Sequence, residues 1–515
     1  MKKFYPGLLW ILLLMFGLST TLNAQAPQGK PDEKKEEKKE KPVPEPKESV
    51  TQHSIKIDGK NIEYTATAAT MILKNEKDEA IAEFGYVAYT RNGIQDLGNR
   101  PVTFAYNGGP GSASIWLHMG AIGPRRVVVN DPDFNKTGFT LVDNEYSILD
   151  VTDIVMIDPV GTGISRAVGK GENKDFWGID GDISSISNFI NAYISKNNRW
   201  ASPKFLLGES YGTFRSAGLA PYLLDTYGIA LDGIVLVSNV LDLRTITFGT
   251  GDDISYSLFL PTYAATAYYH NKISPKPANL EAFLNDAREF ALGEYNTALM
   301  KGDNLSASEK AAVIDKMSKF TGLDKEYLEK ADLRVTAGAF FVKILEDERE
   351  TVGRYDSRYT GSTLDPLSTY SIYDPQSAAI SPSYQMGFMS YYHNELKFGL
   401  DRKYNFSTYS LDDFTWNWER GRQGFLGNGE GLSIVEDLKE AMVQNPAMKV
   451  MVENGYYDLA TPFLGTEYTF SHLNLPDNVK GNISMNYYEA GHMFYTKVEE
   501  LAKFKKDVVD FITGN

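Results

Sequence analysis

Apolar and polar residues alternate between residues 52 and 90, as they do in strands with one face in a core. The alternating stretches are Ile55-Lys56-Ile57, Ile62-Glu63-Tyr64 and Phe84-Gly85-Tyr86-Val87-Ala88-Tyr89. Successive side chains of a strand point to opposite faces, so a period of two indicates half-buried strands. Asp58-Gly59, between the first two stretches, is a hairpin signal. The pattern predicts antiparallel strands at the edge of a sheet.

From residue 102 to residue 237 the pattern changes to continuous apolar runs that alternate with helical segments. The apolar runs are 102–106, 153–158, 204–207 and 234–237, and the helical segments include 189–193 and 213–224. Continuous apolar runs are typical of strands covered on both faces. The alternation of strands and helices along the chain predicts a mostly parallel sheet with helices on both faces. Similar strands follow at 449–452 and 483–488, before a final helix from Val498 to about Ile512.

Residues 245–395 have the pattern of a helical block. Apolar residues at helical spacing are Leu280, Phe283, Leu284, Ala287, Phe290 and Ala291. Ser306 and Glu309 form a capping-box pattern that opens a second helix, which ends near Gly322. We expect this block to be a cap, or lid, inserted into the sheet domain, whose two parts are 51–244 and 396–515. A separate domain is the alternative.

The N-terminal 26 residues are typical of a secretory signal peptide. Lys2 and Lys3 precede an apolar run at 8–18, and Ala24-Gln25-Ala26 supplies small residues for cleavage. The run is shorter than the ~20 residues that cross a membrane. We therefore expect an exported protein, periplasmic or secreted, with no membrane span after signal removal. Residues 27–50 are mostly Lys, Glu and Pro, which predicts a disordered linker.

Composition excludes several classes of function. The formal net charge of the 515-residue chain is −15, so a nucleic-acid partner is not expected. Cysteine is absent, which rules out a disulfide, a thiolate nucleophile and a cysteine-ligated metal. No histidine pair has metal-ligand spacing. We predict neither a metal nor any other cofactor.

The pentapeptide Gly208-Glu209-Ser210-Tyr211-Gly212 is the strongest candidate for chemistry. It lies between a predicted strand and a predicted helix. A Gly-x-Ser-x-Gly in this context is typical of the nucleophile elbow of an α/β-hydrolase fold. The pentapeptide alone is weak evidence, because about 0.3 copies are expected by chance in a chain of this composition. An ordinary glycine-rich turn is the alternative.

A glycine-dense loop, Asn107-Gly108-Gly109-Pro110-Gly111-Ser112, follows the strand at 102–106. It fits neither nucleotide-binding fingerprint. In a hydrolase this loop supplies one N–H of the oxyanion hole, and the residue after the nucleophile supplies the other. We therefore predict that the backbone N–H groups of Gly109 and Tyr211 form an oxyanion hole.

Three residues follow strands in the order that an α/β-hydrolase requires for its triad: Ser210, Asp458 and His492. Ser210 would attack an acyl carbon, and His492 would take its proton and return it to the leaving group. Asp458 would orient His492 and stabilise its charged form. Of the six histidines, only His492 lies in a small-residue loop just past a late strand.

Four motifs together resemble the serine carboxypeptidase family. They are Asn107-Gly-Gly-Pro-Gly-Ser-Ala-Ser, Asp158-Pro-Val-Gly-Thr-Gly-Ile-Ser, Gly208-Glu-Ser-Tyr-Gly and Ala490-Gly-His-Met, and Asn144-x-Tyr146-Ser147 also fits. The resemblance implies an α/β-hydrolase that removes the C-terminal residue from peptides through an acyl-enzyme. It also implies that Asn107 and Glu209 bind the free carboxylate of the substrate, which Glu209 can do only while protonated.

The chain departs from the family at three positions. It has Ala105 where the family usually has tryptophan, Ala121 where it has a second glutamate, and Ser112 where it has cysteine. The missing glutamate leaves two related activities open, a proline-releasing aminopeptidase and an esterase. A catalytically silent binding protein of the same fold is a further alternative. The oligomeric state is open.

Overall fold

The computed structural model describes residues 40–134, 138–399, 401–424, 427–430 and 432–514. The predicted signal peptide and residues 27–39 of the predicted linker lie outside these ranges. Lys41–Asn515 forms one compact unit.

Strands and helices alternate through much of this unit. The strands are β1 (Glu48–Ile57), β2 (Lys60–Lys74), β3 (Ala80–Arg91), β4 (Val102–Tyr106), β5 (Arg125–Val128), β6 (Thr140–Asp143), β7 (Asp153–Ile157), β8 (Arg166–Ala167), β9 (Lys204–Glu209), β10 (Gly233–Val237), β11 (Glu350–Val352), β12 (Thr360–Ser362), β13 (Glu419–Gly424), β14 (Gly427–Glu430), β15 (Lys449–Gly455) and β16 (Ile483–Tyr488). The α-helices are α1 (Ile115–Leu117), α2 (Ile179–Lys196), α3 (Tyr211–Tyr227), α4 (Ile254–Tyr269), α5 (Leu280–Phe290), α6 (Asn296–Lys301), α7 (Ala307–Thr321), α8 (Lys325–Lys330), α9 (Ala337–Lys343), α10 (Pro375–Asn394), α11 (Val435–Gln444), α12 (Phe463–Ser471), α13 (Asp477–Lys480) and α14 (Val498–Thr513).

A ten-stranded sheet carries the fold, in the order β1-β2-β3-β7-β4-β9-β10-β15-β16, with β8 paired to β3. β1, β2, β3 and β7 pair antiparallel, and from β7 to β16 every pairing is parallel. The predicted mostly parallel sheet flanked by helices is confirmed. The chain runs from the central β4 to β7 on one side and then to β9 on the other, which creates the crevice where ligands bind in open α/β sheets.

Alternate residues of each central strand enter two different cores. Leu206 and Ile234 pack in a core that includes α2, α3 and α11. Leu207 and Val235 pack in a second core that includes α10 and α14. Because both faces are covered, the middle stretches of these strands, 205–207 and 234–237, are continuously apolar, as the sequence pattern indicated.

β1 begins at Glu48, inside the segment that the sequence pattern assigned to the linker. Glu48 pairs with Ala69, and the Thr70 N–H donates to the Lys47 carbonyl at 2.8 Å. Strand pairing at a sheet edge uses backbone groups and needs few apolar side chains, so a polar composition does not prevent it.

The predicted cap range contains helices α4 to α10 and the short β11–β12 hairpin. Helices α4, α5 and α7 build a third core, which Tyr456 and Phe463 join from the segment after β15. α10 differs, because Ile380, Tyr384 and Phe388 pack in the second core of the sheet. The assignment of residues 245–395 to a lid stays a prediction. In the described part of the chain, no helix has the length and apolarity to cross a membrane.

The capping box at the start of α7 forms as the sequence predicts. The Ser306 hydroxyl accepts the Glu309 N–H at 3.3 Å, and Glu309 Oε2 accepts the Ser306 N–H at 3.1 Å. Ser306→Ala should destabilise the first turn of α7 by about 1 kcal/mol, because it removes the acceptor for an otherwise unpaired N–H. Hydrogen exchange of those amides measures the effect. Lys319→Ala, at an exposed residue in the last turn of α7, is the control, and equal exchange of the first-turn amides in both variants would contradict the prediction.

Candidate active site

The predicted site residues lie where the parallel strands end. Asn107 follows β4, Glu209 ends β9, Asp458 follows β15 and His492 follows β16. Parallel strands end at the same edge of a sheet, so these four residues meet there although they are far apart in sequence.

Ser210 occupies the sharp turn between β9 and α3. Its φ of 60° and ψ of −128° are unusual for a residue with a side chain. Backbone strain of this kind costs about 1–3 kcal/mol and persists only where the surroundings enforce it. Here the Ser210 N–H donates to the Val237 carbonyl at 2.9 Å, and the Ser210 carbonyl accepts the Thr213 N–H at 2.8 Å. The strand, sharp turn and helix that the sequence predicts around Ser210 are present in the structure.

His492 and Asp458 are buried and joined directly. His492 Nδ1 lies 2.6 Å from Asp458 Oδ2. Asp458 also accepts hydrogen bonds from the Ala460 N–H at 2.7 Å and from the N–H and hydroxyl of Thr461 at 2.9 and 2.6 Å. Because Nδ1 faces the carboxylate, Nε2 is the nitrogen left to exchange a proton.

The pKa of His492 is raised above its usual value. Burial alone would lower this pKa, but the charge of Asp458 and its hydrogen bond outweigh burial, and the charge of Glu209 adds to them. An imidazole in this setting can accept a proton and hold it as a stabilised cation.

The loop that carries His492 is held on two sides. The His492 N–H donates to the Tyr355 carbonyl at 2.5 Å, and the Ser238 hydroxyl donates to the His492 carbonyl at 2.6 Å. Asp356 accepts the Gly491 N–H at 2.9 Å. Arg358 pairs with Asp356, which ties this loop into a buried ion pair.

The predicted oxyanion-hole residues lie at a close contact between two loops. A Cβ atom at Gly108 would lie 2.4 Å from the Tyr211 nitrogen, so only glycine permits the approach. Gly109 has a φ of +113°, a backbone conformation that favours glycine. Tyr211 is the first residue of α3, so its N–H has no partner within the helix. In the described residues the Gly109 N–H donates to no other backbone group.

Asn107 is buried and held in place through its oxygens. Its side-chain oxygen accepts the Leu117 N–H at 3.1 Å, and its carbonyl accepts Arg215 Nη1 at 2.8 Å. Its side-chain nitrogen, Nδ2, makes no well-formed hydrogen bond with any described residue, although it lies near Glu209 and Tyr495. A buried amide donor without a protein partner is costly unless a ligand accepts from it.

Glu209 is a buried carboxyl group whose well-formed side-chain donor, among the described residues, is Tyr495. Burial raises its pKa to about 7, although His492 and a hydrogen bond from Tyr495 oppose the shift. The Tyr495 hydroxyl donates to Glu209 Oε2 at 2.6 Å. Near neutral pH, Glu209 therefore divides between a neutral form that donates a hydrogen bond and an anionic form that cannot.

A cavity of about 260 Å³, here called the site cavity, joins these groups. Asn107, Gly109, Glu209, Ser210 and His492 all line it. Ser377, Ile380, Ser381 and Gln385 of α10 form another part of its wall, with Arg354, Tyr355 and Tyr409 from neighbouring loops.

The structure brings together the predicted residues but adds others that the sequence did not indicate. Tyr495 and Thr461 are the important additions, since they hydrogen-bond Glu209 and Asp458. Tyr495 lies 286 positions from Glu209, and no local motif marks it. Among the described residues no group of three or more His, Asp or Glu side chains could hold a metal ion.

Ala121, where the resemblance expects a second glutamate, is buried, and a Cβ atom on the preceding Gly120 would lie 2.7 Å from the ring of Tyr495. Asn144 Nδ2 donates to the carbonyls of Ala121 and Gly123, each at 2.8 Å, and the Ser147 hydroxyl donates to the Ile122 carbonyl at 2.6 Å. The Asn144 and Ser147 side chains of the sequence motif therefore hold this segment in place.

Comparison with known proteins gives one family and several solved structures with low sequence identity. The model of the family described as serine carboxypeptidase matches residues 75–506. Kex1(Δ)p, a prohormone-processing carboxypeptidase from Saccharomyces cerevisiae, shares 16% identity over 87% of this chain and 91% of its own, with a TM-score of 0.52. A proline iminopeptidase from Mycobacterium smegmatis shares 14% identity over 90% of this chain and 98% of its own, with a TM-score of 0.33. No curated protein sequence matches this chain.

The contact at Gly108 gives a direct test of the site geometry. Gly108→Ala places a methyl group against the backbone of Glu209 and Tyr211, so the elbow must shift. We expect labelling of Ser210 by a fluorophosphonate to slow by at least about ten-fold. Gly481→Ala is the matched control, because nothing lies within 4 Å of the added methyl group. Equal labelling of both variants would contradict the assigned geometry.

Proposed function

This chain belongs to the serine carboxypeptidase family, and we propose that it releases C-terminal residues from peptides through Ser210, His492 and Asp458. The family match over residues 75–506 supports a hydrolase of this type. The pairing of His492 with Asp458 at 2.6 Å, beside the strained turn at Ser210, supports the assignment of the triad.

The proposed reaction has two halves. Ser210 Oγ attacks the carbonyl carbon of the last peptide bond while His492 Nε2 takes its proton. The tetrahedral oxyanion is stabilised by the N–H groups of Gly109 and Tyr211, a contribution of ~3 kcal/mol for each such donor. His492 returns the proton to the leaving amine, which departs as the C-terminal amino acid, and Ser210 remains acylated. A water molecule then attacks the acyl group with His492 as base, which frees the acid and restores Ser210.

One observation carries the exopeptidase assignment. Asn107 Nδ2 is a buried donor without a well-formed bond to any described residue, and it lies near a Glu209 carboxyl group whose pKa is about 7. An amide N–H and a protonated carboxyl can both donate to the free carboxylate of a peptide. Among the described residues that line the site cavity, Glu209 is the one acidic side chain. Since burial favours its neutral form, it is a poor partner for the ammonium group that an aminopeptidase must bind.

The position of the family's second glutamate is Ala121 in this chain. We propose that Tyr495 takes over the orienting role, because its hydroxyl donates to Glu209 Oε2 at 2.6 Å. That bond leaves the other oxygen of a protonated Glu209 free to donate to the substrate. Tyr495 would then be a positioning residue that does not contact the reacting atoms.

We also propose that the enzyme is exported to the periplasm or the medium. The charged start at Lys2 and Lys3, the apolar run at 8–18 and the small residues at 24–26 support this proposal.

The substrate class is tested with N-blocked dipeptides that carry either a free or an amidated C-terminus. We expect cleavage of the free acids only, and a loss of kcat of up to roughly a million-fold in Ser210→Ala. Equal cleavage of the amides would indicate an esterase or amidase, and cleavage only of peptides with a free N-terminus would indicate an aminopeptidase. Failure of Ser210 to react with a phosphonate would indicate a silent binding protein.

The pH dependence follows from two groups. His492 must be neutral to accept a proton, so activity falls on the acid side. Glu209 must be protonated to bind a carboxylate, so kcat/KM for free acids falls as pH rises above about 7. An N-blocked ester without a free carboxylate should keep the acid limb and lose the alkaline one. The two groups interact, so the limbs report the pair and neither residue alone.

Two variants assign the alkaline limb of that profile. Glu209→Gln stays neutral at every pH and should abolish the fall above pH 7 for free acids. Tyr495→Phe removes a hydrogen bond that favours ionised Glu209, so the fall should move to higher pH. A profile for free acids that keeps its alkaline limb unchanged in both variants would contradict the role given to Glu209.

A further inference from the structure

We infer that the site cavity selects peptides with an acidic side chain next to the scissile bond, and that Arg354 binds this side chain. The inference rests on the proposed carboxypeptidase function and names a substrate class for it.

Arg354 is an exposed cation that lines the site cavity together with Ser210 and His492. In the described residues its guanidinium has one polar contact, since Nη1 lies 3.5 Å from the Tyr355 hydroxyl. Its Cζ also lies 5.1 Å from the centroid of the Tyr355 ring. Neither contact neutralises the charge, so the guanidinium keeps donors for a carboxylate.

Backbone hydrogen bonds hold Arg354 close to the segments that carry Asp458 and His492. The Arg354 carbonyl accepts the Leu459 N–H at 3.0 Å, one residue after Asp458. The next carbonyl, that of Tyr355, accepts the His492 N–H at 2.5 Å. Asp374 accepts the Arg354 N–H at 2.6 Å and the Ser377 N–H at 2.6 Å, which also ties this segment to the start of α10. A side chain based here reaches the cavity from a rigid support.

The other charged groups of the cavity already have roles. Glu209 binds the terminal carboxylate in the proposed reaction, and His492 transfers the proton. Of the charged side chains that the structure describes in the lining, Arg354 is the one that remains. The α10 wall presents polar Ser377, Ser381 and Gln385. Among the described residues of the lining, Glu209 is the one carboxyl group, so no further carboxylate there competes for Arg354. An acidic side chain of the substrate would therefore supply the anionic partner for Arg354 that the cavity lining does not provide.

The negative net charge of the whole chain means that binding of an anionic peptide depends on a cation in the cavity itself. With a formal net charge of −15, the long-range field of the protein disfavours anionic peptides. A neutral cavity in such a protein would favour neutral or basic substrates. A charge-assisted hydrogen bond to Arg354 is of a size that gives about ten-fold or greater discrimination.

The test uses N-blocked dipeptides as free acids in two series. One series varies the C-terminal residue among Glu, Gln, Leu and Lys, and the other varies the residue before it. The wild-type enzyme should show about ten-fold higher kcat/KM for Glu than for its isostere Gln in one series, and this preference should shrink with added salt. The series that responds identifies the side of the scissile bond.

Arg354→Gln should bring the ratio of kcat/KM for the Glu peptide to that for the Gln peptide close to one, and this ratio is the readout because a change in the rate common to all peptides cancels from it. Arg354→Glu should shift the preference toward Lys. Arg349→Gln is the matched control, because it removes the same charge from an exposed residue five positions earlier that does not line the cavity.

Three results would overturn the inference. These are equal rates for Glu and Gln in both series, an Arg349→Gln variant that behaves like Arg354→Gln, and an equal loss on all peptides in Arg354→Gln. Binding of the same peptides to Ser210→Ala, measured by calorimetry, separates the two proposals. Tighter binding of the Glu peptides supports the inference even if no free acid is cleaved, whereas that lack of cleavage contradicts the carboxypeptidase function.

Discussion

The site depends on a backbone contact between the loop after β4 and the first turn of α3. That contact is possible because Gly108 has no side chain. Arg215, one turn into α3, holds the other end of the contact through the Asn107 carbonyl at 2.8 Å and through Asp182 at 2.7 Å. Arg215 and Asp182 are both buried, so separating them would leave an unpaired charge and cost several kcal/mol. This ion pair therefore helps to hold three parts of the site in place: the proposed oxyanion hole, Ser210, and the proposed carboxylate-binding residues Asn107 and Glu209.

Two carboxyl groups at this edge of the sheet have different surroundings, which suits them to different tasks. Asp458 accepts three hydrogen bonds from Ala460 and Thr461 besides its contact with His492. Glu209 has Tyr495 as its well-formed side-chain donor, and burial raises the pKa of Glu209 to about 7. The hydrogen bonds hold Asp458 in place beside His492, and the poorly solvated Glu209 suits a proton donor. Each also acts on His492, because the charge of Asp458, and that of Glu209 when it is ionised, raise the pKa of the imidazole.

The features that could be predicted from the sequence are those that local patterns encode. The strand period, the elbow around Ser210 and the capping box at Ser306 each depend on residues within a few positions of one another. The partners of Glu209 and the start of β1 depend on distant segments, so no window of sequence contains them. Arg354 is an example of a residue that local sequence does not identify, because the residues around it have the pattern of an ordinary loop. Its significance arises from backbone bonds to the segments that carry Asp458 and His492.

Helix α10 has one stripe of residues that lines the site cavity and another that packs in the core, so different residues contribute to substrate binding and to stability. Ser377, Ser381 and Gln385 recur every four residues and face the site cavity. Tyr384, Phe388 and Tyr391 lie on an adjoining stripe and are buried in the second core of the sheet. A wall of this kind is part of the folded core, so it holds its shape without waiting for a lid to close. Substitution on the polar stripe changes what the cavity binds while the apolar stripe keeps the helix in place. The same scaffold can thus acquire new substrate preferences at little cost in folding free energy, because its core contacts stay intact.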